Sequence, residues 1–246
     1  MKVLVLGHSD SDGSKLANPA DGWPYVMQRR IAEESGVEIE IVHRLLFAGP
    51  TAVQYMERQL DEESPDIVVV GTSGYGVVVQ LASNRIRERF GPRAANVAVA
   101  AEVRVAELSK RLGPRGKRTL TEVRRAGRKL IGTRPAFSFE ALVECYEECL
   151  DRLAQREQMH TIVFGGLGYG RELQRLNPRL NELQNGLHER LRAAALKHHF
   201  DWVVHEEILG GREAKLAYMQ KDGVHSNEEA QRMAAAVVTP LVMARL

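Results

Sequence analysis

Four short stretches of the chain hold side chains whose types and spacing suit chemistry. Gly7-His8-Ser9-Asp10-Ser11-Asp12-Gly13 follows an apolar run near the N-terminus. Phe47-Ala48-Gly49-Pro50-Thr51 and Gly71-Thr72-Ser73-Gly74-Tyr75-Gly76 each follow a later apolar run. Lys221-Asp222-Gly223-Val224-His225-Ser226-Asn227 precedes the last helical segment. A serine hydroxyl is a weak nucleophile until a base removes its proton. His225 is the candidate base. Asp222 lies three residues before it, so one turn-like segment can offer both side chains. A carboxylate there holds the imidazole tautomer and stabilises the imidazolium that forms during attack. The pattern points to nucleophilic attack by Ser9, with His225 moving the proton.

These residues need a frame that brings chain ends far apart in sequence together. Lys2–His8, Val37–His43, Asp66–Thr72, His160–Gly165 and Trp202–Ile208 read as strands. Trp23–Ser35, Thr51–Glu63, Phe139–Gln158, Asn177–Phe200 and Glu228–Ala244 read as helices from their apolar spacing. Gly36 and Pro65 supply stop signals. Strands that alternate with helices predict a parallel sheet covered on both faces. Right-handed crossovers wind it into an α/β fold, a three-layer α/β/α sandwich around a five-stranded parallel sheet. Ligands of such sheets bind at the carboxyl ends of the strands, where three of the four stretches fall.

Serine in a G-x-S turn after the first strand, with a D-G-x-H-x-N segment before the last helix, resembles the SGNH hydrolases, also called GDSL esterases/lipases. The resemblance spans nearly the whole chain. Gly22-Trp23-Pro24-Tyr25-Val26-Met27 is similar to the aromatic-proline start of the family's first helix, and Pro65–Thr72 to the strand leading into its third block. The resemblance implies a flavodoxin-like fold and ester hydrolysis through an acyl-enzyme. Ser9 would attack, His225 shuttle the proton and Asp222 orient His225. The backbone N–H groups of Ser9 and Gly49, helped by Ser73, would hold the oxyanion. Ser9 would sit at a strand-to-helix junction, where backbone N–H groups and a helix dipole favour negative charge. No metal or organic cofactor is implied. Two positions depart from the family pattern. His8 stands where the family has aspartate. The third block reads Gly71-Thr72-Ser73-Gly74, so the asparagine donor of the oxyanion hole is replaced by Ser73.

The composition fits a globular domain. The chain has 246 residues, 27% of them charged and 44% hydrophobic, with a net charge of +2. That length can bury a sizeable core. Two cysteines, Cys145 and Cys149, exclude a disulfide scaffold. They lie one helical turn apart and read as core or surface thiols. No apolar run reaches the ~18 residues of a membrane span. The apolar N-terminal run is too short for a signal peptide, so the expected compartment is the cytoplasm.

The small net charge hides an asymmetry. Ser83–Arg134 holds fifteen basic and four acidic residues, a net of +11, which leaves −9 on the rest. The stretch Gln80–Phe137 reads as a basic helical insertion in a single domain, broken at Gly91-Pro92, Gly113-Pro114 and Gly132. It would project near the strand ends and could hold an anionic ligand, membrane or nucleic acid, or form a solvated face. Two other functions are compatible with the sequence. One is an acyltransferase with an alcohol or sugar acceptor. The other is a non-catalytic module that binds through the basic stretch. Ser9, Ser11 or Asp12 could instead cap a helix, and Asn227 reads as the cap of the last one. Gly166-Leu167-Gly168-Tyr169-Gly170 reads as a flexible rim of the site rather than a phosphate loop. His8 and His43 with Asp10 or Asp12 form a weaker candidate metal set.

Overall fold

The apolar runs pair edge to edge in one sheet. In the computed structural model, which describes residues 1–74, 77, 82–111, 135 and 138–246, the strands are β1 (Lys2–Gly7), β2 (Glu40–Leu45), β3 (Ile67–Thr72), β4 (His160–Gly165) and β5 (Asp201–Val204). All are parallel, in the order β2-β1-β3-β4-β5. The central strands bury both faces, so β3 reads as an uninterrupted apolar run and all six of its residues are buried.

Helices cover both faces. On one side α1 (Trp23–Ser35) packs against α8 (Glu228–Met243). Trp23, Met27 and Ile31 of α1 meet Val3, Val5 and Val69 of the sheet and Val238 and Val242 of α8. Trp23 stacks on Phe164 of β4 with ring centroids 5.1 Å apart. On the other side α2 (Ala52–Glu63) and α6 (Leu180–Lys197) flank α4 (Phe139–Leu153). The result is the three-layer α/β/α sandwich around a five-stranded parallel sheet.

The chain divides into two compact units, Met1–Gly74 with Phe139–Leu246, and Tyr75–Ser138. The second contains α3 (Ala82–Arg111), interrupted at Gly91, which adopts φ 83° and ψ 172°. No L side chain adopts that φ readily, and Pro92 follows it, so the helix breaks where Gly91-Pro92 predicts. The expected breaks at Gly113-Pro114 and Gly132 lie outside the described residues.

Several element boundaries differ from the sequence expectation. Strand β2 starts at Glu40, three residues later than expected. The helix expected over Phe139–Gln158 ends at Leu153. The long helix expected over Asn177–Phe200 is Leu180–Lys197, preceded by the short α5 (Arg171–Leu176). The fifth strand ends at Val204, and His205–Ile208 is a turn of helix, α7. In Trp202–Ile208 a four-residue helix is too short to show a 3.6-residue period, so the run imitates a longer strand.

Strand order reverses at β1, which lies between β2 and β3. This is the topological switch point where open α/β sheets open a crevice. Gly7, the last residue of β1, and Gly71, the last but one of β3, approach closely there. A Cβ on Gly71 would lie 3.1 Å from Gly7 Cα. A Cβ on Gly7 would fall 2.0 Å from Ser11 Oγ. Glycine is therefore required before the Ser9 turn.

Candidate active site

Ser9 stands just past the end of β1. His8, Ser9, Asp10 and Ser11 form a turn closed by the Ser11 N–H donating to His8 O at 2.9 Å. Ser11 Oγ closes the same turn by donating to His8 O at 2.8 Å and accepting from the His8 N–H at 3.1 Å. With that proton committed, Ser11 Oγ accepts from His43 Nε2 of β2 at 2.9 Å. The turn exposes Ser9 and ties Ser11 to its own start. Ser9 does not stand at a helix terminus. The first α-helix begins at Trp23 behind Gly22, after a short 3₁₀ turn at Pro19–Asp21. The expectation of a helix dipole at Ser9 is corrected, and neither Ser9, Ser11 nor Asp12 caps α1. Loop residues separate strand and helix, and their turn chemistry replaces the helix terminus.

His225 arrives from the other end of the chain. It lies in a tight loop between Tyr218 and Asn227. Met219 bridges Ser226, Gln220 N–H donates to His225 O at 2.7 Å, and Asn227 N–H donates to Tyr218 O at 2.7 Å. Asn227 Oδ1 then accepts the Ala230 N–H at 3.0 Å and caps α8. This cap ends the loop and starts the helix that packs on α1, so the loop is fixed to the core.

The three side chains form a continuous chain of hydrogen bonds. Ser9 Oγ lies 2.8 Å from His225 Nε2. His225 Nδ1 lies 2.6 Å from Asp222 Oδ2. Because Asp222 accepts, Nδ1 carries the proton and Nε2 presents its lone pair to the serine hydroxyl. The other Asp222 oxygen accepts the Val224 and His225 N–H groups at 2.9 and 3.0 Å. Burial alone would raise the Asp222 pKa. The two N–H donors and the imidazole outweigh it and hold the carboxylate below its ordinary range. The carboxylate is thus both charged and aimed.

Two of the three expected oxyanion donors, Gly49 and Ser73, already have partners on α4. The Gly49 N–H donates to Cys145 Sγ of α4 at 3.4 Å, so the donor expected to face the oxyanion is taken up by a thiol here. Sulfur is a weak acceptor, and the contact is long. The Cys145 thiol returns a contact to Gly49 O at 3.6 Å. Ser73 follows β3. Its N–H donates to Tyr146 Oη at 3.0 Å, and that hydroxyl donates back to Ser73 O at 3.3 Å. Full burial drives the Tyr146 pKa up, so the ring stays a neutral clamp on the block that lacks asparagine. Sequence reasoning missed both α4 residues, because their apolar helix spacing gave no sign of a backbone partner.

The glycine stretch after β4 is a buried shelf, not the flexible rim expected from its composition. Leu167 and Tyr169 are 3% and 5% exposed. The Gly170 N–H donates to Gly223 O at 2.7 Å, and a Cβ on Gly170 would lie 2.8 Å from Gly223 Cα. The shelf therefore supports the Asp222–His225 loop from below. Beneath it, Lys215 is fully buried with Nζ 2.6 Å from Glu206 Oε2. Small residues were needed for this backbone-to-backbone approach.

His8 and His43 each make a hydrogen bond within the Ser9 turn. His8 Nδ1 accepts the Asp10 N–H at 3.3 Å, and burial lowers the pKa of both rings. Among the described residues no group of three or more His, Cys, Asp or Glu side chains could hold a metal ion. Cys145 and Cys149 are free thiols.

Asp10, the residue after Ser9, is 7% exposed. Burial would raise its pKa, but His205, His8 and the Ser226 N–H together bring it down to about 2 from 3.8. A depressed carboxyl stabilises the fold above its unfolded value, and the contribution fades as pH falls through the folded value. The shift corresponds to about 2 kcal/mol. Urea unfolding of native protein and Asp10→Asn is expected to differ by about that much at pH 6, and the difference is expected to shrink between pH 4 and pH 2. A difference that stays constant over that interval would contradict this account of Asp10.

No protein-family model matches the sequence, and no curated protein matches it in sequence either. Solved structures do match in fold. A lipase/acylhydrolase from Enterococcus faecalis is 12% identical, with a TM-score of 0.61, covering 100% of this chain and 96% of that one. A GDSL-like lipase from Bacteroides thetaiotaomicron is 14% identical, with a TM-score of 0.55 and coverage of 100% and 89%. An acetyl xylan esterase is 13% identical, with a TM-score of 0.57 and coverage of 98% and 100%. With the sheet order and helix layers above, these likenesses give the chain the fold of the SGNH, or GDSL, lipases and esterases.

Proposed function

We propose that this protein is a serine hydrolase that cleaves a carboxylic ester through an acyl-enzyme. The observation that supports the reading best is the unbroken run of hydrogen bonds from Asp222 through His225 to Ser9. The structural neighbours, whose names include lipase, acylhydrolase and acetyl xylan esterase, support ester chemistry in general.

Each residue then has a role. Ser9 Oγ attacks the ester carbonyl carbon, and His225 Nε2 takes the hydroxyl proton. The carbonyl π electrons move to oxygen, which becomes an oxyanion. The Ser9 N–H and the Gly49 N–H stabilise it. A developing oxyanion is a far stronger acceptor than a thiol sulfur, so the Gly49 N–H turns from Cys145 towards it. The intermediate collapses, the alkoxide leaves, and it takes the proton from His225. Water then attacks the acyl carbon with His225 as base, and Ser9 is released with the acid. Asp222 keeps the imidazole in its working tautomer throughout. Phe47, 59% exposed in the loop that carries Gly49, offers apolar surface for a small acyl or alcohol group.

The test is a burst experiment with p-nitrophenyl acetate and longer acyl esters. An acyl-enzyme gives a burst of p-nitrophenol approaching one equivalent when deacylation is slower than acylation. Turnover of short acyl esters inhibited by a fluorophosphonate is the expected result. No turnover of any p-nitrophenyl ester and no fluorophosphonate reaction would overturn the reading.

A further inference from the structure

The nucleophile and the base come from opposite ends of the chain, 216 residues apart. Something must hold their two loops at a fixed distance. The residue after each is part of a buried clasp that does so. Asp10 Oδ1 accepts the Ser226 N–H at 2.7 Å and the Ser226 hydroxyl at 2.8 Å. Asp10 is 7% exposed and Ser226 is fully buried. One carboxylate next to the nucleophile thus takes two bonds from the residue next to the base.

Gln231 of α8, fully buried, closes the clasp. Its Nε2 donates to Asp10 O at 2.8 Å and to Ser226 Oγ at 2.6 Å. Its Oε1 accepts the Trp23 N–H at the start of α1 at 2.7 Å. Both loops are therefore fixed to the two helices that pack on one face of the sheet. His205 Nδ1 lies 3.5 Å from the other Asp10 oxygen, and its Nε2 meets Ala230 O at 3.3 Å. The whole set is buried, Asp10 being its most exposed member at 7%, and a charged hydrogen bond there has little competition from water.

We propose that Asp10 is a positioning residue for catalysis. Its clasp on Ser226 sets the 2.8 Å separation of Ser9 and His225. Asp10 does not touch the substrate. It acts through the two loops, and it is distinct from Asp222, which orients the imidazole from the other side. The proposal rests on the reading of Ser9 and His225 as nucleophile and base. Asparagine at position 10 keeps one oxygen that can face both Ser226 donors, but it removes the negative charge and sets an amide NH2 where the oxygen 3.5 Å from His205 Nδ1 stood. The two bonds to Ser226 become neutral and weaker, and the hold between the loops loosens.

The experiment measures kcat and KM for p-nitrophenyl acetate in native protein, Asp10→Asn and Ser226→Ala, with melting temperatures alongside. Misplacement of about an ångström costs about 10²-fold in rate. Asp10→Asn is expected to lower kcat by about that factor, with KM within about threefold of native. Ser226→Ala keeps the backbone bond and is expected to lose about tenfold in kcat. The same Asp10→Asn change is then made in His225→Ala, where no imidazole is left to align. There it is expected to cost less than about threefold, because effects of residues acting as a unit do not add. An equal loss in both backgrounds overturns the proposal, as does a native kcat in Asp10→Asn. Should Asp10→Asn not fold, Ser226→Ala decides alone, and a native kcat there overturns the proposal. Loss of turnover in Ser9→Ala with native kcat in both clasp variants means that the clasp fails while the nucleophile stands. Full turnover in Ser9→Ala means that the nucleophile reading itself has failed.

Discussion

Ser9→Ala is expected to lower kcat for ester hydrolysis by at least about 10⁴-fold. The reason is chemical rather than structural. Without the hydroxyl no acyl-enzyme forms, and only water held near the oxyanion site remains to attack. The substitution removes a half-buried hydroxyl whose bond is to His225 Nε2. The backbone turn is held by Ser11 and His8, not by the Ser9 side chain. Melting temperature is therefore expected to stay within a few degrees of native, so the loss reports chemistry. Steady-state assay with p-nitrophenyl acetate measures it. A kcat within about tenfold of native would remove Ser9 from the mechanism.

The second large effect falls on the base and its partner. His225→Ala is expected to match Ser9→Ala within about tenfold, and the double variant is expected to be little worse than either single one. Non-additivity follows because each group is useless without the other. Asp222→Asn is expected to cost about 10²–10⁴-fold in kcat. Asparagine offers an amide where the imidazole N–H needs an acceptor, so the ring turns or changes tautomer. The Asp222 side chain is 44% exposed, so water can replace part of its effect. Its pKa lies below the ordinary carboxylate range, because the N–H donors and the imidazole outweigh burial. The carboxylate is therefore ionised at neutral pH, and loss of activity through its protonation is confined to acid below that range. Additive losses in the double variant would show that Ser9 and His225 work independently.

The frame was legible because its signals are periodic and local. The first helix, Trp23–Ser35, and the fourth strand, His160–Gly165, match the sequence reading residue for residue. Gly36 ends the helix in the left-handed conformation that its position implies. The buried strand β3 announced itself as Ile67-Val68-Val69-Val70. Elements with shorter or competing signals were harder to read. His205–Ile208 is one turn of helix written in strand-prone residues. Val37-Glu38-Ile39 alternates like a strand yet precedes β2.

The site was legible in part for the same reason. The Ser9, Asp222 and His225 stretches carry short motifs, and the fold brings the three side chains within hydrogen-bond reach. What was not legible is contact between distant segments. Nothing local in the sequence pairs Cys145 with Gly49 or Tyr146 with Ser73, since each was read as one residue of an amphipathic helix. Gln231 did leave a trace. It falls on the apolar stripe of α8 with Ala234, Ala235, Val238 and Val242, all of them buried. A glutamine in that stripe requires buried partners, and Asp10, Ser226 and Trp23 are those partners. The glycines after β4 misled for a physical reason too. Glycine permits both flexible loops and close backbone packing, and only the approach of Gly170 to Gly223 distinguishes them here.

The most direct test of the central claim is to locate a covalent adduct. Native protein is treated with a fluorophosphonate, digested and sequenced by mass spectrometry. A phosphonate is attacked by an activated serine, and the adduct is tetrahedral, like the intermediate of ester hydrolysis. One adduct per chain is expected, on Ser9, with labelling abolished in Ser9→Ala and strongly slowed in His225→Ala. An adduct on another serine, or none on a protein that still hydrolyses esters, would contradict the claim.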